Sequence, residues 1–117
     1  MSIAVKEYVD EVGRNHFRQW FEDLSVEYAA KVASARSRMM AGNLGNLKTV
    51  DGSLKEYKVD WGPGIRIYLV LERNTLVILF CGGVKSGQSA DIMKAKRLRD
   101  EYEKRKAEIR KKGKGKS

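Results

Sequence analysis

Three kinds of apolar spacing run along this chain, and each predicts a different element. Ile3, Val5, Tyr8 and Val9 alternate weakly, which reads as a short strand over Ile3–Tyr8. Phe17, Trp20, Phe21 and Leu24 recur at helical spacing, so residues 15–24 form an amphipathic helix entered through Gly13-Arg14-Asn15. Ser25 suits the N-cap of a second helix, with Glu27 near the positive end of its dipole. Val26, Ala29 and Ala30, Val32 and Ala33, and Arg36 and Met40 trace one face of that helix, and Gly42-Asn43 ends it. The chain then turns to strands. Glu56 to Tyr68 reads strand, tight turn, strand, with Gly62-Pro63-Gly64 as the turn. Ile65–Glu72 carries a single cation, Arg66, beside that turn. Thr75–Cys81 is almost wholly apolar and reads as a buried central strand. It ends at Gly82-Gly83; Lys85 follows, and Ser86–Asp91 opens a last helix.

The order is therefore strand, two helices, about four strands, helix. It predicts an α+β domain: a small twisted antiparallel sheet of four to five strands, an N-terminal helical hairpin and a C-terminal helix. The hairpin register decides whether Lys58 and Arg66 share a face, because a one-residue slip reverses every side chain. The favoured register pairs Trp61 with Ile65, Asp60 with Arg66 and Lys58 with Tyr68. It collects Glu56, Lys58, Asp60 and Arg66 on a polar face, while Tyr57, Val59, Ile65 and Ile67 line the core. A tighter turn pairing Gly62 with Ile65 would put Lys58 and Arg66 on opposite faces. Lys85 is expected to project toward the polar face.

Charge sharpens this picture. The 117 residues make one domain with a formal net charge of +9. Residues 1–46 are balanced, six Lys/Arg against six Asp/Glu, so all of the excess lies beyond residue 46. Lys104–Ser117 alone holds eight Lys/Arg and one Glu. Polyanions such as nucleic acid or the ribosome are the natural partners. A lone Cys81 in an apolar strand and a lone His16 on an aromatic-rich helix supply no disulfide, no metal site and no acyl-transfer set. No cofactor is expected. The N-terminus does not read as a signal peptide and no apolar run reaches the length of a membrane span, so the expected location is the cytoplasm.

Several short motifs then fall in a recognisable order: Gly42-Asn43, Gly45-Asn46-Leu47-Lys48, Glu56-Tyr57-Lys58-Val59-Asp60, Gly62 through Tyr68, Gly82 through Gln88, Asp91-Ile92 and Ala95. With them, Phe17–Tyr102 resembles the RelE/ParE toxin superfamily of bacterial type II toxin–antitoxin modules, most closely its HigB-like addiction module killer branch. The resemblance implies a toxin domain over residues 1–103, followed by the basic tail 104–117. It also implies metal-independent cleavage of messenger RNA on the ribosome, and silencing by a cognate antitoxin, a small helix-turn-helix protein. The ParE branch implies the alternative of a non-enzymatic gyrase inhibitor; a weakened RNA- or antitoxin-binding protein is a further one. The sequence departs from the branch pattern at Lys58, Ile65, Val84 and Gly87, where Arg, an aromatic, Asp and Thr are common. Lys58 keeps the charge and loses the bidentate fork.

For such chemistry the residues offer a consistent set. Arg66 is the candidate phosphate clamp, since guanidinium is planar and permanently charged. Glu56, or Lys58 with a lowered pKa, is the candidate base for a 2′-hydroxyl. Lys85, where the last helix begins, is the candidate for the leaving oxygen. Lys48 and Lys55 are candidates for backbone attraction, Trp61 and Tyr68 for base stacking, and Gln88 for a hydrogen bond to base or phosphate.

Overall fold

The computed structural model describes residues 2–115, with side-chain surroundings through Lys112. The elements are β1 (Ala4–Glu7), α1 (His16–Glu22), α2 (Val26–Met40), β2 (Leu47–Asp51), β3 (Leu54–Val59), β4 (Ile65–Glu72), β5 (Leu76–Val84) and α3 (Gln88–Gly115). Asn15 and Ser25 cap α1 and α2 with their side chains, as polar N-caps should. Gly42, at φ +85, follows the C-cap of α2 in the left-handed region that glycine tolerates.

The five strands form one sheet in the order β1-β5-β4-β3-β2. The fold is α+β as expected, but the sheet is mixed. Strands β2 to β5 are antiparallel, and β1 pairs parallel with β5, Ala4 to Leu76 through Glu7 to Leu79. Weak alternation marks Ile3–Tyr8 as a strand without giving its direction. The direction follows from β5, whose second edge β1 covers.

Helices α1 and α2 cover one face of the sheet, where Phe17, Val32 and Met39 pack on Tyr57, Val59, Ile65 and Ile67. Helix α3 covers the other, with Ala95 and Leu98 over Leu54, Tyr68, Val70 and Phe80. Burial on both faces explains why β4 and β5 read as continuous apolar runs.

The β3–β4 register is Val59 to Ile65, Lys58 to Arg66 and Glu56 to Tyr68. It corrects the expected pairing by two residues and leaves every side chain on the expected face. The loop is longer because Trp61 leaves the ladder. Its ring packs edge-on against Tyr28 of α2 with centroids 4.9 Å apart, and Gly62 and Gly64 turn the chain at φ +59 and +86.

Helix α3 continues unbroken past residue 104 to Gly115. Arg99 binds the backbone carbonyl and carboxylate of Asp51. Tyr8 donates to Glu101, Arg105 donates to Val9 O at 2.9 Å, and Lys106 pairs with Glu72 at 2.9 Å. The first residues of the expected tail are therefore docked on the body, and the exposed stretch starts at Ala107.

Glu7 ties β1 to both helices of the hairpin, accepting from Arg18, Arg36 and Asn15. Burial alone would raise its pKa, but those hydrogen bonds outweigh it and hold the carboxyl at about 2. A depressed folded pKa stabilises the fold above the unfolded value of 4.5 and loses that contribution as pH falls toward 2. Arg18 is 42% exposed, so screening reduces the full linkage to about 2 kcal/mol. Glu7→Gln should lose about this much at pH 7 by urea denaturation. Its stability should also change less than the wild type's between pH 5 and 2. Parallel pH profiles for the two proteins would remove Glu7 as the acid-sensitive tie.

Candidate phosphate-binding cleft

Strand alternation puts Lys58 and Arg66, direct cross-strand partners, on the α3 face of the sheet. Gly83 lies across from Arg66 on β5. Lys85 follows at the start of a single 3-10 turn, Lys85–Gly87. These placements bring Lys58, Arg66 and Lys85 to one open cleft of about 340 Å³, also lined by Asp60, Trp61 and Gly62-Pro63-Gly64. The expected convergence of three cations is thus present.

Their surroundings differ. Lys85 is exposed and has no ion pair among the described residues. Lys58 is half exposed and lies 3.5 Å from the exposed carboxylate of Asp60, a pair that water screens. Arg66 is only 8% exposed, and its Nε lies 3.1 Å from Glu56 Oε1. This is charge contact without an aligned hydrogen bond: both Nε and Nη1 of Arg66 are buried and lack a hydrogen-bond partner. Unsatisfied guanidinium donors in a low dielectric strongly favour an anionic acceptor. Nη1 sits under the loop, 3.6 Å from where a Cβ on Gly64 would stand.

Glu56, the expected free base, is instead part of the Arg66 mount. It is 5% exposed and also accepts from Gln88 Nε2 at 3.3 Å. Gln88, expected to meet base or phosphate, is committed to that contact. Tyr68 is fully buried beneath α3, which corrects its expected role in stacking. Burial, with Glu56 and Asp91 nearby, raises its phenol pKa. Trp61 remains at the cleft rim, half buried, with Lys31 Nζ 5.5 Å from its ring centroid on the α2 side. Lys55 lies apart from the cleft: alternation turns it to the α1–α2 face, where Nζ donates to Thr49 at 3.0 Å. Lys48 is on the α3 face and exposed. It lines a second cleft of about 240 Å³ that shares Lys58 and Asp60 with the first.

Sequence reasoning missed Asp91 at the start of α3. Its carboxylate lies over Gly83, so close that a Cβ there would be 1.9 Å from Oδ2. Desolvation raises its pKa, with Lys94 opposing. The signal was Gly82-Gly83 at the end of a buried strand, since glycine inside a strand marks close approach by another element. His16 is buried against Asp10, with Nε2 and Oδ2 2.9 Å apart, and does not line the cleft. Burial pushes the Cys81 thiol up to about 12, so it stays protonated. Among the described residues, no group of three His, Cys, Asp or Glu is placed to hold a metal ion. No described helix is long and apolar enough to cross a membrane.

Fold and cleft together define a class: a small α+β protein whose five-stranded mixed sheet presents a cation-lined cleft at one end, beside the start of its last helix. No family model matches the sequence. An uncharacterized protein of Haemophilus influenzae is 40% identical over 86 residues, covering 73% of this chain and 87% of the relative. The chain belongs to the same family as that protein.

Proposed function

We propose that this protein is the toxin of a type II toxin–antitoxin module and acts as an endoribonuclease on messenger RNA at the ribosome, with a cognate antitoxin as its silencing partner. The observation that carries this reading is the cleft itself. Three cations from three successive segments converge there, and the central one has unsatisfied buried donors.

In this reading the scissile phosphate lies against Arg66, Lys58 and Lys85, which stabilise the charge that builds on its oxygens. The 2′-hydroxyl of the preceding ribose attacks phosphorus. The O2′–P bond forms, the P–O5′ bond breaks, and the products are a 2′,3′-cyclic phosphate and a 5′-hydroxyl. With Glu56 committed to Arg66, the 2′ proton passes to solvent water in the open cleft. Lys85 gives a proton to the leaving O5′ and regains one from water.

Incubating ribosomes with the purified protein and a defined message should give fragments with these two end groups. Intact messages at full ribosome occupancy would reject the reading. One observation favours a second reading: Glu56 already neutralises Arg66, as in a protein that binds without cutting. Growth arrest with DNA damage and intact messages would establish the gyrase form of that alternative.

The exposed end of α3 supplies general attraction. Deleting residues 108–117 removes five Lys/Arg and one Glu while sparing the docking contacts of Arg105 and Lys106. Ribosome or RNA binding should weaken, and the slope of log K against log salt should flatten by up to about 3. Cut sites should be unchanged; a new cleavage pattern would place the tail in the active site.

A further inference from the structure

Beyond the single phosphate, the sheet carries a path for the strand attached to it. Pairing continues past the start of β2: Lys58 N donates to the Asn46 backbone carbonyl at 3.5 Å, and the Asn46 side-chain Nδ2 donates to Lys58 O at 3.2 Å. Asn46 therefore stands across from Lys58, which stands across from Arg66, which stands across from Gly83. The row crosses the strands at right angles at the end of the sheet, with Lys85 just beyond it. Asn46, Lys48 and Lys58 are all exposed. The two clefts meet along this row and share the wall formed by Lys58 and Asp60. From Asn46 to Arg66 is two strand spacings, about 10 Å. That exceeds the gap between adjacent phosphates of one strand.

We propose that single-stranded RNA lies along this row, with two consecutive nucleotides in the two clefts and Asn46 selecting the base of the second. The proposal rests on the nuclease reading and adds to it a direction and a specificity residue. Lys48, one step inward on β2, holds the phosphate beyond the second nucleotide. The Asn46 amide nitrogen spends one N–H on Lys58 O, which leaves its second N–H and Oδ1 with no partner among the described residues. A donor beside an acceptor matches N7 and the N6 amine of adenine, so adenine is favoured at that position. Trp61 stands at the far rim of the first cleft, where a base can stack on it.

The test uses oligonucleotides with 2′-deoxyribose throughout, which bind without being cut. Dissociation constants are measured for a mononucleotide carrying phosphate, a dinucleotide and a trinucleotide. They are measured on the full chain and on the Asn46→Ala and Lys48→Gln variants. Affinity should rise with each added nucleotide. Asn46→Ala should remove about a fivefold preference for adenine over uracil in the second position. Lys48→Gln should weaken the trinucleotide and leave the mononucleotide unchanged. If affinity rises with length but neither variant alters the rise or the base preference, the path runs elsewhere. That result overturns this inference and leaves the phosphate site standing. If neither the mononucleotide nor the longer chains bind at low salt, the nuclease reading fails, and the path fails with it.

Discussion

On the nuclease reading proposed above, messenger cleavage should fall steeply and growth arrest should be lost in an Arg66→Gln, Glu56→Gln double variant that still folds. Arg66→Ala alone is an ambiguous experiment. Glu56 is 5% exposed and has Arg66 as its ion-pair partner, so removing the guanidinium leaves a buried, uncompensated carboxylate. Breaking a buried pair from one side costs about 3–5 kcal/mol, a large share of a small domain's stability. A silent Arg66→Ala protein would then be silent for want of a fold. Neutralising both partners removes the charge from the phosphate site and leaves polar groups able to bond each other and Gln88. The melting temperature should stay within a few degrees of wild type. The cleavage rate should fall by about 10²–10³, the loss typical when one preorganised charge donor is removed. Arg66→Lys, which keeps the charge and loses the planar fork, should fall between the two. If the folded double variant cleaves and arrests growth as wild type does, Arg66 does not clamp the phosphate.

The two faces of the sheet were readable before the structure because strand periodicity is strict. Lys58 and Arg66 share a face in the expected register and in the observed one, since the two differ by an even number of residues. The exact pairing was not readable. It depends on Trp61 packing against Tyr28, a partner 33 positions earlier in the chain that no turn rule includes. The parallel placement of β1 was hidden for a similar reason: it answers to the open edge of β5. Candidate site residues divided along the line between local pattern and tertiary cover. Lys58, Arg66 and Lys85 sit at strand ends, where side chains reach solvent or a cleft. Glu56, Tyr68 and Gln88 sit where α3 crosses the sheet, and that crossing turned polar candidates into packing and pairing groups. Asp91 and Asn46 were quoted within motifs but given no chemistry, because their meaning lies in what they face.

Gly82 and Gly83 are packed closely from opposite faces of the sheet, by Trp20 of α1 and Asp91 of α3. Gly82→Ala should destabilise the fold by about 3 kcal/mol or more, the upper range for forcing a methyl into a filled core. A Cβ on Gly82 would stand 2.4–2.7 Å from three carbons of the Trp20 ring. The ring cannot easily retreat: Phe17 packs against it with centroids 5.7 Å apart, and α1 rests on β5 itself. Gly82 has no positive φ, so the penalty is steric and has little backbone strain in it. Gly83→Ala makes an informative contrast. Its Cβ would meet the Asp91 carboxylate at 1.9 Å, a closer clash, but the end of a short side chain can swing away. The stability loss should be about 1 kcal/mol. The displaced carboxylate and the shifted start of α3 lie beside Arg66 and Lys85, so activity should suffer more than stability. Urea midpoints for the two variants and for Gly82→Ala, Trp20→Leu together separate the causes. Trimming the ring should recover much of the Gly82→Ala loss, because the two sites then couple through one contact. An additive double variant would mean that Trp20 is not what glycine at position 82 makes room for.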